Sequence, residues 1–169
     1  MALLAIGAPP ELVEKSNEAA LDEILHARIS FAIASVYLDK PIGPGPLAVE
    51  GALDEVSSFQ WLVESTLVEG CIGETLSAAL AREAHRIASE PLAKCALLRI
   101  AEDEERHAEL AWAFVKWALA KAPELESLLR SLFAAASMRA VDEEKEVADG
   151  LETFGLHSKD RERDLPRPR

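Results

Sequence analysis

The stretch Asp-Glu-Ile-Leu-His-Ala at residues 22–27 returns later in the chain as Asp-Glu-Glu-Arg-His-Ala at residues 103–108. Both copies read D-E-x-x-H-A, and both lie in segments where apolar and small residues recur three and four positions apart. That spacing predicts two amphipathic helices. A Glu and a His three positions apart point the same way from a helix. Each copy therefore presents one carboxylate and one imidazole on a single helix face.

Each motif lies at the centre of a stripe of small and apolar residues, the kind of stripe that packs into a core. A charged group on such a face costs free energy unless it is paired, protonated or bound to a cation. A solvated charge, or a histidine satisfied by its neighbour, would explain one copy. Two matching copies favour a metal site built from Glu23, His26, Glu104 and His107.

A further carboxylate ligand is expected from the segment between the two motifs. Glu69 interrupts its most apolar face, and Glu74 lies on the neighbouring stripe, about 140° away on an ideal helix. Both carboxylates face the bundle centre only if the helix is locally distorted, for instance by a π-bulge, which Gly70 and Gly73 favour. We prefer Glu69 as the ligand and keep Glu74 as its rival or companion.

Composition indicates a single all-α domain. Alanine and leucine make up about a third of the 169 residues, and aromatic residues only 5%, which argues against sheet proteins. Thirty acidic residues against eighteen basic ones leave a formal charge of -12. This balance disfavours nucleic-acid binding and suits metal ions or cationic partners.

Proline and glycine divide the chain into helices and a tail. The predicted helices run from Pro10 to about Leu38, from about Asp54 to Ala88, from Pro91 to about Lys121, and from Pro123 to near Asp149. The stretch 41–46 is predicted to be an extended connection, because three prolines and two glycines exclude helix there. We assign residues 1–150 to one helical domain and expect the charged tail 151–169 to be disordered.

The compartment follows from cysteine usage and the lack of targeting signals. Cys71 and Cys95 cannot form a disulfide framework, so a reducing cytoplasm is expected. The opening apolar residues lack a basic region and do not resemble a signal peptide. Without a run of eighteen apolar residues, the sequence predicts no membrane span.

A carboxylate on one helix followed by Glu-x-x-His on the next resembles half of a ferritin-like di-iron carboxylate site. In that family a Glu from each of two helices joins a Glu-x-x-His from each of the other two. The resemblance covers roughly residues 10–120 and implies a site for two irons, with manganese or a mixed pair as alternative metals. Asp22 and Asp103 resemble acids that orient ligand histidines, although solvated helix charges explain them equally well. The ligands implied are Glu23, His26, Glu69, Glu74, Glu104 and His107.

The sequence departs from the family pattern at the first helix. If the two halves are pseudo-symmetric, the Glu that matches Glu69 should precede Glu23 by as much as Glu69 precedes Glu104, which places it before Met1. We therefore expect a ferritin-like antiparallel bundle that misses or replaces its first helix. The fourth helix of the same chain could supply the missing wall. Alternatively, a second copy of the chain could supply it, and this second alternative predicts a homodimer.

Two functions follow from these expectations. The resemblance implies an O₂-dependent oxidoreductase or oxygenase acting on a small molecule that the sequence does not identify. The alternative is a non-catalytic ferritin-like module with a degenerate metal site, because one ligand helix is missing. Metal content and a visible spectrum after exposure to air would distinguish the two functions.

Overall fold

The computed structural model of the chain describes residues 2–47, 50 and 58–142, and this part is mostly helical, with no strand. A π-helical segment, Thr66–Glu74, continues the helix that ends at Ser65 into the helix that begins at Thr75, and a 3-10 turn, Pro123–Leu125, precedes the helix that begins at Glu126. The all-α class is thus confirmed for the described residues, whereas the ferritin-like arrangement stays a prediction. The helices are α1 (Ala2–Ala5), α2 (Pro10–Tyr37), α3 (Phe59–Ser65), α4 (Thr75–Ile87), α5 (Pro91–Lys121) and α6 (Glu126–Asp142).

Prolines begin the two longest helices, as predicted. Pro10 and Pro91 stand at the first helical position, where the missing N–H leaves no hydrogen bond unmade. Glu90 caps α5, because its carboxylate accepts the backbone N–H of Ala93 at 2.6 Å.

The second predicted helix begins later than the sequence indicated, and it ends at Ile87, one residue before Ala88. The helix expected from about Asp54 begins at Phe59, and the Ser58 side chain caps it by accepting the N–H of Trp61. Residues 41–47 form no regular structure. Asp54, the predicted end of the last helix near Asp149 and the tail 151–169 all lie outside the described residues.

The core is built around α5, which packs against α2, α4 and the π segment and carries buried residues along most of its length. By contrast, α2 packs mainly against one helix, α5. Over its whole length α2 therefore buries only Leu12 and His26. The site on α2 therefore lies at the interface with α5. In the described part of the chain, none of the helices combines the length and apolar character needed to cross a membrane.

Candidate metal centre

The two Glu-x-x-His motifs face each other across the interface of α2 and α5. The rings of His26 and His107 have their centroids 6.1 Å apart, and both residues are only 7% exposed. Glu104 is 8% exposed, whereas the side chain of Glu23 is 57% exposed. The cluster is therefore closed on the α5 side and open to water at Glu23.

The carboxylates and imidazoles form two overlapping groups of three. One consists of Glu23, His26 and Glu104, and the other of Glu74, Glu104 and His107. In each group, one ligand atom from every member lies within 4.8 Å of the others. Glu104 belongs to both groups, and a carboxylate with two oxygens can serve two ions. Each group could hold a metal ion.

Both histidines turn Nδ1 toward the carboxylates. His26 Nδ1 lies 3.7 Å from Glu23 Oε1 and 3.6 Å from Glu104 Oε1. His107 Nδ1 lies 3.2 Å from the same Glu23 oxygen and 3.6 Å from Glu104 Oε2. One nitrogen of each ring is thus placed among the oxygens that would share a cation with it.

The other nitrogen of each histidine meets an aspartate from the opposite helix. His26 Nε2 lies 2.9 Å from Asp103 Oδ2, and His107 Nε2 lies 3.4 Å from Asp22 Oδ2. An ionised carboxylate can only accept, so Nε2 is the nitrogen that donates to the aspartate, and Nδ1 is the nitrogen that faces the candidate metal position. The crossed pairing favours the orienting role of the aspartates over that of solvated helix charges.

Two arginines, which the sequence analysis did not single out, hold these aspartates in place. Arg99 and Arg106 each bind both Asp22 and Asp103. Burial alone would raise the pKa of Asp103, but hydrogen bonds from His26, Arg106 and Arg99 keep it below its ordinary value. In the sequence, Arg99 and Arg106 stand one turn before and one turn after Asp103 on the same helix face, and this spacing could have indicated the ion pairs.

The third carboxylate of the two groups is Glu74, whereas Glu69, the residue preferred from the sequence, lies outside both. Glu69 is exposed, accepts a hydrogen bond from the Ser65 hydroxyl at 3.2 Å, and belongs to neither group. Glu74 is half-buried and ends the π-helical segment. The distortion expected at Gly70 and Gly73 is present, and it turns Glu74 rather than Glu69 toward α5.

The π segment is supported locally in two ways. The hydroxyls of Thr66 and Thr75 donate to the carbonyls of Leu62 and Cys71, which satisfies backbone oxygens at its two ends. Gly70 lets the segment approach α5, because a Cβ there would lie 2.7 Å from Ala111 Cβ. The close approach brings Glu74 within reach of Glu104.

The donor set fits a cation. Glu104 Oε2 is buried and makes no hydrogen bond with any described residue. Burial and the neighbouring carboxylates Glu74, Glu23 and Asp103 raise the pKa of Glu104 to about 8. A bound cation would supply the missing partner for this oxygen and remove the repulsion among the carboxylates.

A fourth carboxylate ligand, which the family pattern would place on a first helix, does not join the cluster among the described residues. The groups contain only Glu23, Glu74 and Glu104 beside the two histidines.

Comparisons with protein-family models, curated proteins and solved structures find no match for this chain. The case for a metal centre therefore rests on the repeated motif and on the geometry described above.

Proposed function

We propose that this chain is a ferritin-like protein that holds two irons between α2, the π segment and α5, and that it acts as an O₂-dependent oxidoreductase. The observation that carries the proposal is the shared carboxylate Glu104, which lies in two ligand groups that each contain one oriented histidine. Iron(II) with mixed oxygen and nitrogen ligands supplies oxidising power through its reaction with dioxygen.

The residues of the chain have separate tasks in this proposal. The metal pair would be held by Glu23, His26, Glu74, Glu104 and His107, with Glu104 shared by the two ligand groups. Asp22 and Asp103 fix the protonated Nε2 of each imidazole, so that both Nδ1 atoms stay aimed at the centre. Manganese or a mixed pair fits the same oxygen and nitrogen donors.

The alternative, a non-catalytic helical module with a degenerate metal site, is supported by the exposure of Glu23. A ligand that is 57% exposed leaves one side of the cluster wet. Water there would compete with substrate and with dioxygen, and only three carboxylates support the pair. The module would need no complete metal pair and would not consume dioxygen.

Metal analysis of the purified protein, combined with its visible spectrum and oxygen uptake after anaerobic loading with iron(II), tests the proposal. We expect two irons per chain, a new absorption band in air and oxygen consumption. Full metal content without oxygen consumption would support the module instead. Absence of any metal after loading would overturn the oxidoreductase and favour the module.

Matched variants assign the ligands. Glu74→Gln should reduce metal occupancy, whereas Glu69→Gln should not, because Glu69 lies outside both groups. The His26→Leu/His107→Leu double variant should bind no metal pair. Its helicity should survive, because Asp103 keeps Arg99 and Arg106 as partners, and circular dichroism would check this. Full metal occupancy in the double variant would contradict the proposed site.

A further inference from the structure

A cavity of about 470 Å³ opens directly beside the metal-ligand cluster. Three ligand residues, Glu23, Glu74 and His107, form one end of it. Its walls come from α1, α2, α3 with the π segment, and α5. Small-molecule sites in proteins have volumes of about 300–1,000 Å³, so the cavity is large enough for a compact ligand.

The walls beyond the ligand residues are mainly apolar. Leu3, Val13, Leu62, Leu110 and Phe114 contribute hydrocarbon surface from four different helices. The cavity would therefore favour a molecule that is itself mostly hydrocarbon, because burying apolar surface is the main source of affinity in such a site.

Polar groups in the cavity are few and concentrated on α2. Ser16 and Asn17 line it there, whereas the hydroxyl of Thr66 already donates to the Leu62 carbonyl. The polar side chains on α2 could bind one hydroxyl or carbonyl group of a ligand.

In the metal-free protein, the charges around the cavity disfavour an anion. Within the described part of the chain, neither lysine nor arginine lines the cavity, while Glu23 and Glu74 do. Without bound metal, a carboxylate or phosphate group of a ligand would have no lysine or arginine as a partner in the cavity and would meet these two acids. Bringing like charges together without a cation costs binding free energy.

We propose that this cavity binds an uncharged, largely apolar small molecule with one end against Glu23, Glu74 and His107, as the substrate site of the oxidoreductase. The inference rests on the proposed function. A helix from a second copy is a less suitable occupant, because Ala2, Leu3 and Leu4 of α1 already cover part of the same groove.

The test compares 1-octanol with octanoate, which share a chain length and differ in charge. Binding to the chelator-treated protein, in which no metal can attract the carboxylate, is measured by calorimetry and saturation-transfer NMR at pH 7.5. We expect saturable binding of octanol and binding of octanoate at least about tenfold weaker. Equal affinities, or no binding of octanol up to its solubility limit, would overturn the inference.

Two variants with the same substitution localise the ligand. Ala20 lines the cavity from an exposed position on α2, so Ala20→Phe should fill space and weaken octanol binding about tenfold or more. Ala27 is also exposed on α2 but does not line the cavity, so Ala27→Phe should bind octanol normally. Thermal melting of both variants checks that the fold is kept. Normal binding by Ala20→Phe would refute this location.

The outcomes also separate this inference from the proposed function. Metal content is measured on the same preparations after loading with iron(II). If the protein holds two irons and consumes dioxygen but binds no octanol, only the cavity inference fails. If octanol binds but no metal does, the proposed function fails and the cavity remains a binding site. If Ala20→Phe instead converts a wild-type dimer to a monomer, the groove belongs to a second copy and the inference is wrong.

Discussion

At the scale of single residues, Glu104 is a buried carboxyl surrounded by other carboxyls in the metal-free protein. Its Oε2 atom is buried without a hydrogen-bond partner among the described residues, and three acidic neighbours surround the carboxyl. A group in this environment takes up a proton when no cation is present. Both the fitness of the site for metal and the pH response of the apo protein follow from this one side chain.

The apo protein should lose stability as the pH rises from 5.5 to 8.5. The pKa of Glu104 is raised from 4.5 to about 8 in the folded state, so the folded chain keeps a proton that the unfolded chain has lost. The stabilisation is complete below the unfolded pKa and disappears as the pH passes the folded one. We expect a loss of about 1–2 kcal/mol, since water at the open side screens part of the effect.

Urea unfolding of the chelator-treated protein at both pH values measures this loss. Glu104→Gln, which cannot ionise, should largely remove the difference between pH 5.5 and pH 8.5. A wild-type protein that is more stable at pH 8.5, or a variant with the same pH dependence, would contradict the assignment to Glu104.

Asp103 should matter more for stability than its counterpart Asp22. Asp103 is 0% exposed and binds His26, Arg99 and Arg106, whereas the side chain of Asp22 is 17% exposed. Asp103→Asn leaves buried His26 and the two arginines without a carboxylate partner. We expect the free energy of unfolding to fall by about 2–4 kcal/mol. Asp22→Asn should cost about 1 kcal/mol.

The two variants also test whether the aspartates position the histidines. Titration with cobalt(II), followed by its visible absorption, should show about tenfold weaker binding in both variants. If Asp103→Asn lowers stability while cobalt(II) affinity is unchanged, Asp103 is structural only and does not orient His26.

At the scale of secondary-structure elements, the π segment decides which carboxylate joins the site. On a regular helix the side chains of Glu69 and Glu74 would point about 140° apart. The sequence favoured Glu69 as the metal ligand, because Glu69 interrupts the more apolar face. The extra residue per turn in Thr66–Glu74 changes this direction, so Glu69 becomes exposed and Glu74 meets Glu104. The sequence could predict that a distortion occurs at the glycines, but not its register.

Gly70 should be necessary for this geometry and Gly73 should not. A Cβ at position 70 would lie 2.7 Å from Ala111 Cβ, so Gly70→Ala must push the π segment away from α5. Overpacking costs about 1–3 kcal/mol, and the better helix propensity of alanine returns up to about 1 kcal/mol. We expect a net loss of about 1–2 kcal/mol together with reduced metal occupancy, because Glu74 moves with the segment.

Gly73→Ala is the matched control for Gly70→Ala. Its Cβ would lie 3.5 Å from the Val68 carbonyl oxygen, which is an ordinary contact. Stability should therefore stay the same or rise by up to about 1 kcal/mol. Thermal melting and metal analysis of both variants make the comparison, and equal behaviour of the two would contradict the role given to Gly70.

At the scale of the whole molecule, the sequence predicted more of the helices than of their packing. Prolines and apolar periodicity gave the limits of α2 and α5 to within one residue, because these signals are local. The fourth helix, considered as a replacement wall, instead packs chiefly on the π segment, with Phe133 beside Trp112 of α5. The packing of the helices depends on contacts between residues far apart in sequence. Local patterns in a single sequence say little about such contacts.

A homodimer is expected through the outer face of α2. Leu21 is 67% exposed, Ile24 49% and Leu25 36%, and they lie within two helical turns of each other. Burying a few hundred Å² of such surface stabilises an interface by about 25 cal/mol per Å², which is several kcal/mol in total. Since α6 packs chiefly elsewhere, a second copy of α2 is the natural partner, and a two-fold interface places the same leucines on both sides.

Light scattering coupled to size-exclusion chromatography at micromolar concentration tests the dimer. The wild type should elute as a dimer and Leu21→Glu as a monomer, because the new carboxylate would face its own copy across the axis. Leu80→Glu is the control: Leu80 is 63% exposed on α4, away from α2, so this variant should remain dimeric. A monomeric wild type, or dissociation caused equally by both substitutions, would show that the exposed leucines of α2 are not an interface. The metal ligands all lie in one chain, so monomeric Leu21→Glu should keep its metal. Loss of metal on dissociation would mean instead that the second copy contributes to the site.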